Sequence, residues 1–105
     1  MLQKGKGFMT ENNYGFVSNE IIRDGTLTPE SRVLYAILAT YSDRERKCYP
    51  TISELVKASG MCRATFYRHM KSLEEKGIIK KYYIRTDKYP THRKLVYKLC
   101  DNLSK

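Results

Sequence analysis

The chain has 105 residues, a length typical of a single domain with one hydrophobic core. Hydrophobic residues make up 41% of it and the mean hydropathy is -0.59. No apolar run approaches the ~20 residues of a membrane-spanning helix, so a membrane protein is excluded. The N-terminal residues lack the apolar run of a secretory signal. Three cysteines, Cys48, Cys62 and Cys100, are an odd number. We therefore expect a cytoplasmic protein with free thiols.

The positive charge is concentrated in the C-terminal part of the sequence. The net charge is +9, yet residues 1–42 hold four basic and four acidic side chains and sum to zero. Residues 76–98 hold eight basic side chains against Asp87 alone, a net charge of +7. Such a segment favours binding to a polyanion. The alternative is a merely solvated lysine-rich surface.

The first third of the chain is predicted to contain an arm and one long helix. Residues 1–13 are expected to form a flexible arm, residues 14–18 a short strand or extended arm, and residues 19–24 a brief helical turn. Thr28 followed by Pro29 indicates a helix start, because threonine caps free N–H groups and proline has its φ preset. The helix is predicted to run from Pro29 to Tyr41. Its core-facing positions, spaced by three and four, are Val33, Leu34, Ile37, Leu38 and Tyr41.

Two shorter helices joined by a glycine are predicted next. Thr51 caps a helix that runs to about Ala58, and Gly60 lets the chain turn at once. A third helix is predicted from Arg63 to Lys76, with Gly77 after it. Phe66, Met70 and Leu73 are predicted to face the core, whereas Ala64, Arg68, Lys71 and Glu75 project the opposite way.

The last third of the chain has the pattern of a β-hairpin. Residues 78–84 and 94–99 are rich in β-branched and aromatic side chains, and the turn-prone residues 86–91 lie between them. This order of elements predicts an α+β fold, a winged helix-turn-helix with a three-helix core and a C-terminal hairpin wing. The domain is predicted over residues 14–100, with a short tail over 101–105.

Specific residues carry a resemblance to known proteins. Residues 49–56, 60–68 and 73–79 resemble the helix-turn-helix of winged-helix DNA-binding proteins. The upstream stretch from Gly15 to Leu38 resembles the domain that opens many plasmid and phage replication initiators, and that also occurs in small mobile-element regulators of Gram-positive bacteria. The resemblance covers roughly residues 14–99 and implies DNA binding.

The sequence departs from the usual pattern at three positions of this motif. Cys62 stands where serine or threonine usually caps the recognition helix, and a thiol is a weaker acceptor. Ser59 occupies a turn position that is usually apolar, and His69 stands where alanine is common. The spacing of the motif is unaffected, so these departures concern how the recognition helix is held.

The third helix supplies the predicted base and phosphate contacts. Its N-terminal half should reach base edges in the major groove. The candidates there are Arg63, Thr65, Tyr67 and Arg68, with Arg63 and Arg68 as the base readers and Lys71 as a phosphate contact. In the wing, the predicted contacts to the minor groove or to phosphate are Lys88, His92, Arg93 and Lys94.

Other chemistry receives little support from the sequence. Structural zinc sites need close ligand pairs, which Cys48, Cys62, His69 and His92 do not form. No phosphate-binding loop or nucleophile motif is present, so we predict no catalysis, metal or cofactor. One further hypothesis is a stacking platform for single-stranded nucleic acid, built from Tyr82, Tyr83, Tyr89 and Tyr97.

The predicted partner is therefore double-stranded DNA, with the chain acting as a transcriptional regulator or as the origin-binding domain of a replication initiator. A protein-protein adaptor in a replication or conjugation assembly is the alternative, since the fold does not fix the function. A homodimer is expected, because pairing two half-sites raises affinity. The predicted interface uses Phe8, Tyr14, Phe16 and Val17 of the arm, together with the exposed side of the helix Pro29–Tyr41.

Overall fold

The computed structural model of the protein describes residues 14–85 and 93–102. Its elements in chain order are α1 (Asn19–Ile22), α2 (Pro29–Tyr41), β1 (Lys47–Cys48), α3 (Ile52–Ser59), α4 (Arg63–Glu75), β2 (Ile79–Arg85) and β3 (Arg93–Leu99). The predicted arm over 1–13, the wing tip over 86–92 and residues 103–105 lie outside this part of the chain. No described helix has the length and apolar character needed to cross a bilayer.

Local capping signals explain where the helices begin and end. The Thr28 hydroxyl accepts a hydrogen bond from the Ser31 N–H at 3.1 Å, and α2 has the predicted bounds. At α3, the Thr51 hydroxyl accepts from the Glu54 N–H at 3.0 Å, and the Glu54 carboxylate accepts from the Thr51 N–H at 2.8 Å. This reciprocal pair satisfies two free donors at the helix start. Gly60 then ends α3 at a φ of 71°, a conformation that glycine adopts at little cost.

The core lies between α2, α3, α4 and one face of the sheet. It contains the buried residues Leu34, Tyr35, Leu38, Ala39, Cys48, Leu55, Phe66, Met70, Leu73, Ile79, Tyr97 and Leu99. The predicted inward positions of α4 are therefore confirmed. For α2 the prediction was wrong at two positions, since Val33 is 46% and Tyr41 43% exposed.

The buried face of α2 is rotated toward Tyr35, which is fully buried. The helix contacts α1, α3, α4, β1 and β3, so its neighbours lie on more than one side. The Tyr35 hydroxyl accepts from the Ser18 N–H at 2.7 Å and donates to Asp101 Oδ2 at 2.7 Å. These bonds offset the cost of burying the hydroxyl. Burial raises the pKa of Tyr35 to about 12, and its bond to Asp101 acts in the same direction.

The helices are followed by an antiparallel hairpin, which completes the predicted α+β winged helix. The strands have the order β1-β3-β2, and β2 pairs with β3 from Ile79 opposite Leu99 to Arg85 opposite Arg93. The two-residue strand β1 was not predicted; it places Lys47 opposite Lys98 and Cys48 opposite Tyr97. A strand this short has no periodicity of its own. Its pairing partner lies about 50 residues away, beyond the reach of local patterns.

Arg46, between α2 and β1, forms a buried ion pair with Asp101 near the C-terminal end of the described chain. Arg46 Nη2 lies 2.6 Å from Asp101 Oδ2, and the side chains are 6% and 0% exposed. The same guanidinium donates to the Phe16 carbonyl at 2.7 Å and to the Ser42 hydroxyl at 3.1 Å. Burial opposes the charge of Arg46, but the Asp101 carboxylate outweighs it and the pKa of Arg46 is raised. Asp101, placed in the tail by the sequence analysis, thus fixes residues 16–18 against α2.

Candidate nucleic-acid interface

Helix α4 has a buried side and an exposed side. Phe66, His69, Met70 and Leu73 are its buried residues. The four residues predicted to project the opposite way, Ala64, Arg68, Lys71 and Glu75, are all exposed. The helix is therefore held from one side, and the other side is open to a ligand.

The five sequence-predicted contacts of α4 lie along this one helix. Arg63, Arg68 and Lys71 are exposed, Tyr67 is 48% exposed and Thr65 is half-buried. Arg63 also donates to the Ser53 hydroxyl at 3.3 Å, which links it to α3. The Tyr67 ring packs edge-on against the Phe66 ring, with centroids 5.3 Å apart. The exposed face thus combines three cationic side chains with a partly supported aromatic ring.

The start of α4 is weakly capped, as the identity of Cys62 predicts. Cys62 is the N-cap residue, and its side chain forms no capping hydrogen bond. Its sulfur lies 3.3 Å from the Thr65 hydroxyl instead. The Thr65 hydroxyl and the N–H groups of the first turn favour the thiolate and lower the pKa of Cys62.

We expect Cys62→Ser to stabilise the protein, because a hydroxyl accepts from a free N–H more strongly than a thiol. The free energy of unfolding, measured with urea, should rise by about 0.5–1 kcal/mol. Cys100→Ser changes another exposed cysteine, which lies after β3, and serves as the control. Equal unfolding midpoints for the two variants would contradict the capping argument.

His69 connects α4 to the beginning of α2. Its Nδ1 lies 3.2 Å from the Thr28 hydroxyl and 3.3 Å from the Ser31 hydroxyl. The side chain is 8% exposed, so these two hydroxyls are its polar partners in a largely dry environment. The sequence singled out His69 as a departure from alanine, but its role in holding α4 against the cap of α2 depends on a contact 41 residues apart.

The inner face of the wing extends the cationic surface of α4. Lys81, Tyr83 and Arg85 alternate along β2 on the side of the sheet that carries the core residue Ile79. Lys81 Nζ lies 3.9 Å from Glu74 Oε2. A cleft of about 310 Å³ separates α4 from this face, and Tyr67, Lys71 and Lys81 lie on its wall. Sequence reasoning did not select Lys81 and Arg85, although strand alternation measured from the buried Ile79 would have pointed to them.

The predicted wing contacts are only partly described. Lys88 and His92 lie outside the described residues, and Arg93 is the first residue of β3. Lys94 is exposed on the opposite sheet face from Ile79, so the structure does not bring it together with α4. Its ammonium lies 4.5 Å from the centre of the Tyr49 ring, a cation-π contact.

The tyrosines of the proposed stacking platform do not share one surface. Tyr97 is 1% exposed and belongs to the core. Burial raises its pKa above the ordinary value for tyrosine. Tyr82 and Tyr83 are adjacent in β2 and so point to opposite faces, and Tyr89 lies outside the described residues.

The cysteines differ in environment. Cys48 is buried, which raises its thiol pKa to about 12, whereas Cys62 and Cys100 are exposed. Within residues 14–85 and 93–102, no three potential metal ligands of the His, Cys, Asp and Glu types come together.

A family model described as a helix-turn-helix domain matches residues 25–79, just over half of the chain. The chain belongs to this helix-turn-helix family. The matched segment contains all of α2, α3 and α4 and ends at the first residue of β2. Membership supports DNA binding, and such domains are typically not enzymes. The comparisons with curated proteins and with solved structures found no match.

Proposed function

We propose that this helix-turn-helix protein binds double-stranded DNA sequence-specifically, with α4 in the major groove and the hairpin alongside. The observation that supports this best is the division of α4 into a core-anchored side and an exposed side bearing Arg63, Arg68 and Lys71. The first acidic residue of α4 is Glu74, close to its C-terminal end. The half of the helix that reaches base edges therefore repels no phosphate.

Each exposed side chain has a distinct proposed role. Arg63 and Arg68 suit bidentate contact with guanine O6 and N7. Lys71, one turn further along, suits a phosphate. Thr65 offers a hydroxyl and a methyl group to a base edge. The Tyr67 side chain suits contact with a DNA phosphate or a thymine methyl.

The wing is proposed to hold the flanking backbone. Lys81 and Arg85 lie on the face of β2 that is turned toward α4, and both side chains are exposed. Lys88 and His92 at the tip, together with Arg93 and Lys94 at the start of β3, are proposed as phosphate or minor-groove contacts.

Two biological roles fit this function: a transcriptional regulator, and the origin-binding domain of a replication initiator. The resemblance of the residues from Gly15 to Leu38 to plasmid and phage initiators supports the second. An adaptor that binds proteins instead of DNA is the alternative. Both DNA-binding roles predict salt-dependent binding to duplex DNA, and the adaptor does not.

Salt dependence is the direct test of duplex binding. We expect the logarithm of the affinity to fall linearly with the logarithm of salt concentration, at about -0.9 for each phosphate neutralised. With roughly five phosphate contacts, affinity should fall several hundredfold between about 0.05 and 0.2 M salt. Fluorescence anisotropy with a labelled duplex measures this slope, and Lys71→Gln should reduce its magnitude by about 1. An adaptor would show little duplex affinity and no such slope.

We further propose a homodimer formed through the N-terminal third. Tyr14 is 81% and Phe16 73% exposed, although the arm is fixed where Gly15 approaches the backbone of Thr40. A Cβ atom at Gly15 would lie 2.8 Å from the Thr40 Cα, so this close approach requires glycine. Val17 packs against the core instead, and Phe8 lies outside the described residues. Exposed aromatic rings held in place favour a protein contact.

Sedimentation at micromolar concentration tests this interface. Removing residues 1–17 should convert the dimer to a monomer, and so should the double variant Tyr14→Ser/Phe16→Ser. The double variant keeps the Phe16 carbonyl that accepts from Arg46, so it retains this contact, which the truncation removes. A dimer should select inverted half-sites about one helical turn apart. A parent chain that is already monomeric and binds direct repeats would contradict the proposal and favour an initiator domain.

A further inference from the structure

The face of the sheet turned away from the helices, called the outer face from here on, carries cationic and aromatic side chains. Ile79, Tyr97 and Leu99 point from β2 and β3 into the core. Because side chains alternate along a strand, the residues between them point outward. The outer face comprises four lysines, Lys47, Lys80, Lys94 and Lys98, two tyrosines, Tyr49 and Tyr82, and two apolar residues, Ile84 and the buried Val96.

Three of the lysines form a row across all three strands. Lys98 of the central strand β3 lies directly opposite Lys47 on one side and Lys80 on the other. Like charges in directly opposed positions destabilise a sheet. Two of the three have partial compensation from Glu45, whose carboxylate lies 3.2 Å from Lys47 Nζ and whose carbonyl accepts from Lys98 Nζ at 2.9 Å. Lys80 has no carboxylate within ion-pair distance among the described residues. The fold alone does not account for a repulsive row of this kind.

The aromatic side chains lie next to this row. Tyr82 is opposite Val96, and Tyr49 is 42% exposed with Lys94 above its ring. Lys47 lies near both tyrosines, and its pKa is raised chiefly by its bond to Glu45. Ile84, at the far end of the face, is 39% exposed. The outer face thus places rings and apolar groups between ammonium groups.

We propose that the outer face binds single-stranded nucleic acid. Unpaired bases stack on aromatic rings while lysines follow the phosphates, and this combination requires no particular base sequence. A duplex fits this face less well, since its major groove accepts a helix or a two-stranded ribbon and its bases are already stacked. This activity does not depend on duplex binding by α4, because α4, Lys81 and Arg85 lie on the other side of the sheet. Among the described residues proposed as duplex contacts, Lys94 alone belongs to the outer face.

A purely protective role is the competing explanation for the lysines. Strands β1 and β2 are the two edges of the sheet, and lysines on edge strands discourage pairing with another chain. That role would account for Lys47 and Lys80, but it requires neither Lys98 of the central strand nor the neighbouring tyrosines. It also predicts no effect of these residues on nucleic-acid binding.

The test uses the full chain and a fluorescein-labelled 20-nucleotide strand of thymidine, with binding followed by anisotropy. The variant Lys80→Gln/Lys98→Gln should weaken binding and reduce the magnitude of the log-log salt slope by about 1.4, at about 0.7 per phosphate for a single strand. Tyr49→Ala should weaken binding by roughly tenfold, and Tyr49→Phe should retain it because the ring is kept. None of these variants should change duplex affinity by more than about twofold.

Matched controls separate this face from general charge and from α4. Arg23→Gln/Lys57→Gln removes the same charge from exposed positions in the helical part and should leave most of the single-strand affinity. Arg68→Ala should reduce duplex affinity and leave thymidine binding unchanged, so failure of one proposal is visible apart from the other. Thermal unfolding of every variant checks that the sheet is intact.

Four outcomes would overturn the proposal. They are a charge variant of the outer face that behaves like the helical control, an equal loss of duplex and single-strand affinity, and a Tyr49→Ala variant that binds as Tyr49→Phe does. The fourth is polyglutamate competing as effectively as the thymidine strand at equal charge, which would indicate an acidic protein partner.

Discussion

Asp101→Ala should reduce the free energy of unfolding by about 3–5 kcal/mol, as expected when one partner of a buried ion pair is removed. The substitution leaves the Arg46 guanidinium in an environment where its side chain is 6% exposed, without its charged partner. The Tyr35 hydroxyl loses its acceptor as well. A loss of this size is a substantial part of the total free energy of unfolding of a small domain.

Urea unfolding measures this loss, with Glu75→Ala as the matched control. Glu75 is an exposed acid on α4, and its removal should change stability by no more than about 0.5 kcal/mol. The variant Arg46→Met/Asp101→Leu removes both charges and should recover much of the loss, because no buried charge is left unpaired. Similar losses for Asp101→Ala and Glu75→Ala would mean that the pair contributes little to the fold.

Arg63→Ala and Arg68→Ala should each reduce discrimination between the selected site and scrambled DNA by ~1–3 kcal/mol. The parent protein makes the bidentate contact only on DNA that has guanine at that position. Removing the arginine therefore weakens binding to the selected site but not to scrambled DNA. Arg93→Ala, in the wing, should instead weaken binding to all sequences alike, because a phosphate contact carries no sequence information.

Selection of bound fragments from random DNA supplies the site for this comparison. Each variant is then titrated against the selected duplex and a scrambled duplex at one fixed salt concentration, since affinities at different salt cannot be compared. Lys71→Ala is the control on α4 and should lose affinity equally for both duplexes. Equal losses on both duplexes for Arg63→Ala and Arg68→Ala would show that neither reads bases.

The support of α4 connects these two predictions. The helix is held by its apolar stripe, by His69 against the cap of α2, and by the α2 packing that Tyr35 and Asp101 stabilise. A base-reading helix must be fixed to within a fraction of an ångström to discriminate. Stability variants in this network should therefore also lower specificity under conditions where the protein remains folded.

The exposed side of α4 could be predicted from the sequence, because the side chains that lie outside a helix's apolar stripe are exposed. Lys81 and Arg85 were missed as individual residues, since their orientation requires knowing which strand face packs. The part of the outer face that β1 and Tyr49 contribute could not have been assembled from the sequence. Tyr49 and Lys94 are 45 residues apart, and only the pairing of β1 with β3 brings them together.

The sequence by itself determined the elements whose signals are local. Thr28 with Pro29, Thr51 with Glu54, and Gly60 fix helix ends through hydrogen bonds and backbone conformations that involve at most four consecutive positions. The β-rich pattern of residues 78–84 and 94–99 likewise predicted the two strands of the hairpin. These interactions form within a segment, so they can be recognised in a segment.

Tertiary structure decided what depends on distant partners. The side of α2 that is buried is set by Tyr35, whose partner Asp101 is 66 residues away, so that Val33 and Tyr41 remain exposed. Arg46 lies in a run of charged residues, 43–47, and only the fold brings its partner Asp101, 55 residues later, beside it. Burying such a polar or charged group is tolerated only where its partner is buried beside it, because the pairing offsets the cost of desolvation. Whether two distant residues come together in this way depends on the whole fold.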